Sequence, residues 1–452
     1  MLTLTATIKA LRPSDAETPA SGGQLAFLYM AIAFYAVGTG GTRYTTMTMG
    51  ADQFTKVEDQ DVFFNWFFIV VYGVLAIGGT AVVYIEDSIS WELGFGICLA
   101  VNALALLCLL LGAKYYRRPV PEGSPFTALA RVAVASFRKR KLALPPPTAE
   151  SAAAAYYHGP SERADQPPSS SFSYMNRAAL IVRGDVKEDG SIARPWSLCT
   201  VQEVENPKTL IRIIPLWTST IFISVCIATQ TGLSILQAIT MNRHLCSDIS
   251  IPAGSFVVST LVATCLTLFI LDRAIYPLCH RLIGHTPTPL QRVGIGQIFN
   301  IAAMVASALV EHRRATIIKQ HNAANQPDWI VPMSAFWLVL PNTLTGIGEA
   351  FHFPGQIAFY YQEFPKSLKN TATGMIAVIL SLGFYISTVV VALVQRATNW
   401  LPDNLNSARL DNVYWMLAVM ASINFAYYGL CSKLYKKQRI KLVVVDANTD
   451  EY

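Results

Sequence analysis

The chain has 452 residues, of which 52% are hydrophobic and 14% charged, whereas charged residues make up about 25% of soluble globular proteins. A mean hydropathy of +0.37, kept up despite a long polar middle, requires the apolar residues to be gathered into runs, and this excludes an ordinary water-soluble globule. The net charge of +6 comes from Lys and Arg lying between the runs or after the last, a pattern of membrane topology rather than of nucleic-acid binding.

Crossing a bilayer core takes about 20 helical residues, because only a helix satisfies its own backbone where water is absent. Three runs of that kind come first, at 24–46, 62–85 and 91–113. The residues before them, Met1 to Gly23, lack the basic start and small-residue cleavage site of a signal peptide. In the first run Arg43 follows Gly38, Gly40 and Gly41, small residues that let another helix or a solute approach the backbone.

Between 114 and 209 the composition changes to Pro, Ser, Ala and charge, with PPPTAE at 145–150 and QPPSSS at 166–171, which is linker chemistry. Within it, residues 125–141 (PFTALARVAVASFRKRK) suit a short amphipathic helix with a basic end, lying on the inner membrane surface. Arg117, Arg118 and Arg138 to Lys141 on one side, and Lys433 to Lys441 after the last run, assign both segments to the cytoplasm. Arg313, Arg314 and Lys319 then oppose the rule, falling in a loop assigned to the outside.

Six further runs follow, at 211–238, 252–279, 291–311, 330–361, 372–395 and 411–435. Three before the linker and six after it give an odd total of nine. The predicted domains are three spans over 1–113, a cytoplasmic linker over 114–209, a six-helix bundle over 210–437 and a cytoplasmic tail over 438–452. The eight cysteines are scattered without a C-x-x-C pair and read as soft core hydrophobes.

A charge near the bilayer centre costs about 2.5–3.5 kcal/mol on insertion scales, so one kept there faces a cavity or an opposite charge. Arg43 and Glu349 meet that description. Glu349 lies in GIGEAFHFPGQ, with Pro341, Gly346, Gly348, Pro354 and Gly355 interrupting its helix, and discontinuous helices line the central sites of transporters. An Arg43–Glu349 pair would form a switch that a transported anion or a proton could open. The bland alternative is a buried ion pair that only holds helices together.

Gln230, Asn342, His352, Tyr360 and Tyr385 are candidate cavity-lining residues, with interhelical hydrogen bonding as their alternative role. His352 follows Glu349 at E-x-x-H spacing, without the second copy that a di-iron bundle needs. No phosphate-binding glycine loop, serine elbow or zinc spacing is present. An enzyme, an ATP-driven pump, a metal and a cofactor therefore find no support.

Seven stretches resemble one family: GTGGTRYTTMTMGADQF at 38–54, DVFFNWFF at 61–68, YIEDSISWELGFGI at 84–97, LDRAIYPL at 271–278, TPLQRVGIG at 288–296, GIGEAFHFPGQIAFYYQEFPKSLKNTATGM at 346–375 and DNVYWM at 411–416. They are similar to the proton-dependent oligopeptide transporter family of the major facilitator superfamily, in its plant nitrate and peptide branch. GGTRYT and NWLPDNLN most resemble the nitrate excretion transporters.

The resemblance implies an all-α membrane protein with the major facilitator fold, lacking about the first three of twelve transmembrane helices. It places Arg43 and Glu349 at the family's facing basic and acidic positions, in a cavity opened to each side in turn. The family's E-x-x-E-R motif, tied to proton coupling, has no counterpart in this sequence. Ile227 stands where one kind of member carries a nitrate-binding histidine, which leaves Arg43 as the anion-attracting group.

The expected function is transport of a small anion, nitrate first, by alternating access and in the direction of efflux. The expected partners are the lipid bilayer and nitrate, with no nucleic acid; the proton is left open as a coupling ion, because the motif tied to that role has no counterpart to carry it over. The expected location is the plasma membrane, multi-pass. Rival readings are a carrier of peptides or larger organic solutes, and a nitrate-binding sensor or inactive short form.

Overall fold

The computed structural model describes residues 1–11, 13, 19–117, 124–145, 155–159, 167–246, 249–364, 369–402 and 404–449. Among the described residues thirteen α-helices form in chain order: α1 (Leu2–Thr7), α2 (Gly22–Ala51), α3 (Val57–Ile77), α4 (Val83–Ser88), α5 (Trp91–Gly112), α6 (Pro125–Arg138), α7 (Val201–Ile239), α8 (Val258–Ile270), α9 (Tyr276–Ile283), α10 (Pro289–Gln320), α11 (Val339–Glu363), α12 (Lys369–Ala397) and α13 (Leu410–Thr449). Among the described residues the strands are short: β1 (Met241–Asn242), β2 (His244–Cys246), β3 (Ile249–Ser250) and β4 (Val331–Ser334). β1 pairs in parallel with β4, and β2 antiparallel with β3.

Among the described residues, eight helical segments are long and apolar enough to cross a membrane. They correspond to eight of the nine predicted runs. The ninth, 330–361, divides: its first residues form β4 and a 3₁₀ turn over Ala335–Leu338, and the remainder is α11. Pro, Thr, Gly, Glu and His lower the hydropathy of α11 below that of a plain span, although its 25 residues have the length to cross. π-helical turns at Gly78–Val82 and Leu271–Ile275 join α3 to α4 and α8 to α9.

Local signals explain the helix starts. Ser21 and Gln24 form a reciprocal capping box at α2, and Thr288 and Gln291 do the same at α10, with Pro289 in the first turn. α7 begins at Val201, ten residues before the predicted run, because Thr200 and Glu203 cap each other reciprocally. α10 continues to Gln320 rather than stopping near 311, because Glu311 neutralises Arg314 inside the protein.

The chain divides into two compact units: Met1–Pro119, Ile221–Phe359 and Thr373–Phe425 form one, and Val120–Thr220, Tyr360–Ala372 and Ala426–Tyr452 the other. In the first unit α7, α10 and α13 share a core containing Ile223, Leu233, Met304, Ala308, Tyr414 and Leu417. Also in this unit, α3 packs along α8: Trp66 meets Phe269 edge-on at 6.5 Å, and the Cys265 thiol donates to the Ile69 carbonyl at 3.5 Å.

The second unit shows that the polar middle is more than a tether. The predicted amphipathic segment becomes α6, whose Val132 and Ala135 are buried with Tyr156, Ala178, Ala179, Leu180, Cys199 and Val204. Lys139 and Asp185 form an enclosed ion pair at 2.9 Å, and Lys139 also donates to the Leu180 carbonyl. Arg131 pairs with Glu203 of α7. Small residues spread over about 70 positions carry this core, so no local run announces it.

Candidate functional site

α11 is held close to its neighbours by glycine. A methyl group on Gly296 of α10 would stand 2.6 Å from the Gly348 carbonyl oxygen and 2.9 Å from the His352 amide nitrogen, and one on Gly348 would stand 2.8 Å from the Asn300 amide. The Thr264 hydroxyl of α8 donates to the Gly346 carbonyl at 3.0 Å. A helix fixed on two sides in this way gives its side chains defined directions.

Glu349 uses one of those directions to reach α3. The Tyr72 hydroxyl donates to Glu349 Oε2 at 3.2 Å, joining residues 277 positions apart. The Tyr72 ring is nearly buried and packs with Leu268, Leu271 and Ala350. Beside it lies a cavity of about 70 Å³ bounded by Met47, Phe67, Phe68, Val71, Tyr72, Phe353, Ile357, Ile376 and Leu380. Space of this size holds a few waters or a small ion. Among the described residues its walls are aromatic and aliphatic, and the Tyr72 hydroxyl is the one polar side-chain group.

Arg43 falls on α2, and its side chain lies outside the described residues. The other predicted site residues divide by environment, and none of them lines this cavity. Gln230 is engaged between helices: its carbonyl accepts from Thr345 at 2.7 Å and its amide donates to Ser307 at 3.3 Å. Asn342 donates to the Phe256 carbonyl at 3.0 Å and accepts from Ser234 at 3.4 Å. These two follow the interhelical hydrogen-bonding alternative.

His352 is enclosed between α10 and α11, edge-on to Phe353 at 5.3 Å. Tyr360 belongs to the second unit, where it packs edge-on against Trp217 at 6.3 Å and beside Phe364 at 5.6 Å. Tyr385, on α12, is 74% exposed. On α11, His352 and Tyr360 miss the cavity wall that Phe353 and Ile357 reach, because successive helical residues point 100° apart.

Sequence reasoning missed Tyr72. It is the one hydroxyl-bearing residue in the stretch FFIVVYGVLAI at 67–77, and a lone polar group in an apolar span is a signal that could have found it. Also missed was a buried network at one end of α10. There Glu311 and Arg314 are joined by Gln237, Thr240, Asn406 and, through Gln237, Tyr414.

The family described as PTR2, the POT family, matches residues 1–410. Among curated relatives, Protein NRT1/PTR FAMILY 2.7 of Arabidopsis thaliana is 46% identical over 98% of this chain and 78% of its own length. Protein NRT1/PTR FAMILY 2.6 of the same plant is 44% identical with the same coverage. Among solved structures, the POT family transporter PepTSo superposes with a TM-score of 0.59 at 15% identity, over 91% of this chain and 79% of that one. An auto-inhibited POT family peptide transporter gives 0.54 at 17% identity, over 88% and 75%. At these identities the two structures show the shared fold.

Proposed function

The chain belongs to the POT family of membrane transporters, and from that premise we propose that it carries a small anion, nitrate first, by alternating access. Arg43 and Glu349 are the opposed charged groups of its gate in this reading. The observation that supports it best is Glu349 itself, a carboxyl on a glycine-fixed helix that reaches across to α3 at the edge of a small cavity. An anion entering such a site competes with Glu349 for a cation, so binding and opening are coupled through one group.

In this proposal residues 1–113 and 210–437 belong to two bundles that rock about the cavity, and 114–209 connect them on the cytoplasmic side. The direction is efflux across the plasma membrane, with the proton as coupling ion. Arg43→Ala and Glu349→Ala should each lower tracer nitrate flux in proteoliposomes at least tenfold with normal insertion. Flux at the unaltered rate in both variants reduces the pair to a structural role. Nitrate binding at equilibrium without any flux in the unmodified protein favours a sensor.

The wall chemistry favours a second reading. Phe67, Phe68, Phe353, Ile357 and Leu380 would sit well against an organic solute with an apolar body, and would do little for a bare oxyanion. Competition of nitrate uptake by aromatic carboxylates separates the two readings.

A further inference from the structure

We propose that Tyr72 is a positioning residue that holds the Glu349 carboxyl against α3 and so latches α3 to α11. This rests on the reading above, in which the two helices belong to bundles that separate during transport.

Three observations carry it. First, the Tyr72 hydroxyl donates to Glu349 Oε2 at 3.2 Å, and no other hydrogen bond or ion pair reaches Glu349 among the described residues. Second, the ring that carries this hydroxyl is anchored. It packs with Leu268 and Leu271 and beside Phe68 at 6.2 Å, while α3 is tied to α8 by Trp66 against Phe269. The hydroxyl is thus presented at a fixed place instead of following the carboxyl. Third, Tyr72 lines the cavity, so anything that enters passes beside the bond.

A phenolic hydroxyl has one hydrogen to donate. While Glu349 accepts it, the carboxyl is held on the α3 side, and its partner on any other helix has to compete for it. Opening the cavity separates Tyr72 from Glu349 and frees the carboxyl at the moment another partner can reach it. Tyr72 acts through Glu349 and needs no contact with the transported solute.

The test uses the full chain in liposomes with Ile376→Cys, a position on the cavity wall contributed by α12. Modification at residue 376 by a membrane-impermeant maleimide, quantified by peptide mass spectrometry, reads opening without any substrate. Tyr72→Phe keeps the packed ring and removes the hydroxyl, and should raise the rate about five- to tenfold, the factor expected for one lost hydrogen bond. Glu349→Ala should raise it comparably, and adding Tyr72→Phe to Glu349→Ala should change nothing more.

An unchanged rate in Tyr72→Phe overturns the latch. So does an effect that persists in full on the Glu349→Ala background, since Tyr72 would then act through something else. Absence of nitrate flux in the unmodified chain, with the labelling pattern intact, removes the nitrate reading and leaves the latch standing. Coelution of each variant with the parent on size exclusion separates misfolding from opening.

Discussion

Arg314 and Glu311, three residues apart on α10, form a side-on ion pair with both side chains fully buried: Arg314 Nε donates to Glu311 Oε2 and Nη2 to Oε1, each at 2.8 Å. Every remaining donor direction is used. Nη1 reaches Thr240 at 2.9 Å and Asn406 at 3.4 Å, and Nη2 also reaches the Leu405 carbonyl at 3.0 Å. The pair therefore joins α7, α10 and the segment before α13. It also removes one of the three basic residues that oppose the positive-inside pattern, because a neutralised, enclosed Arg314 does not count as a loop charge, while Arg313 and Lys319 stay exposed.

Breaking this pair leaves one uncompensated charge inside the protein, a loss of about 3–5 kcal/mol. Arg314→Ala and Glu311→Ala should each lower the melting midpoint in detergent sharply, read by fluorescence size exclusion after heating. Replacing both residues, with Arg314→Met and Glu311→Gln together, should recover much of the loss. If either single substitution melts with the parent, the pair is hydrated and the network is open to water.

The contact of α10 with α11 is tested by adding one carbon. Gly296→Ala places a methyl group 2.6 Å from the Gly348 carbonyl and 3.0 Å from His352 Cβ, backbone and near-backbone atoms that cannot swing aside. Overpacking of this kind costs about 1–3 kcal/mol. The same change at Gly374 of α12, where nothing stands within 4 Å, should be neutral by comparison. Equal melting midpoints for the two variants count against the close approach of α10 and α11.

The comparison of sequence with structure turns on how far apart the participating residues lie. Span lengths are local, so all nine runs were legible; the ninth is less apolar than the rest, and the interruption expected from its Pro and Gly residues is absent, because α11 runs unbroken from Val339 to Glu363 after β4 and the 3₁₀ turn. Glu349 was legible as a charge inside a span. Its partner Tyr72 lies 277 positions away and belongs to a different helix, so only three-dimensional packing joins them. Gln230 and Asn342 looked like lining because they are polar, yet both spend their hydrogen bonds on neighbouring helices.

Lys139 and Asp185 supply a test of the second unit. Their side chains are 8% and 5% exposed, so Lys139→Ala leaves the Asp185 carboxylate enclosed without a cation, and Asp185→Ala leaves the ammonium so. Each should open the segment 124–200 to limited trypsin digestion about tenfold faster than the parent, while Lys139→Met with Asp185→Leu restores much of the resistance. Equal digestion of parent and single variants would show that the pair holds nothing together.

Cys199 supplies a second, chemical probe of the same core. It is fully buried beside Val132, Ala135 and Val204, and burial pushes its thiol up to about 12, with Glu203 adding to the rise and Arg131 and Lys139 opposing it. The neutral thiol is the form that folding favours, so its contribution to stability is intact below the ordinary thiol range and is lost as pH rises toward 12. The thiolate is the nucleophile, and at pH 7.5 almost none is present in the folded unit. Iodoacetamide should therefore leave Cys199 unmodified over hours at that pH and alkylate it within minutes in denaturant, measured by peptide mass spectrometry. Rapid alkylation of the native protein at pH 7.5 would mean that α6 does not cover Cys199. Lys139→Ala should speed the reaction by loosening that cover, although the lost positive charge acts on the thiol in the opposite sense.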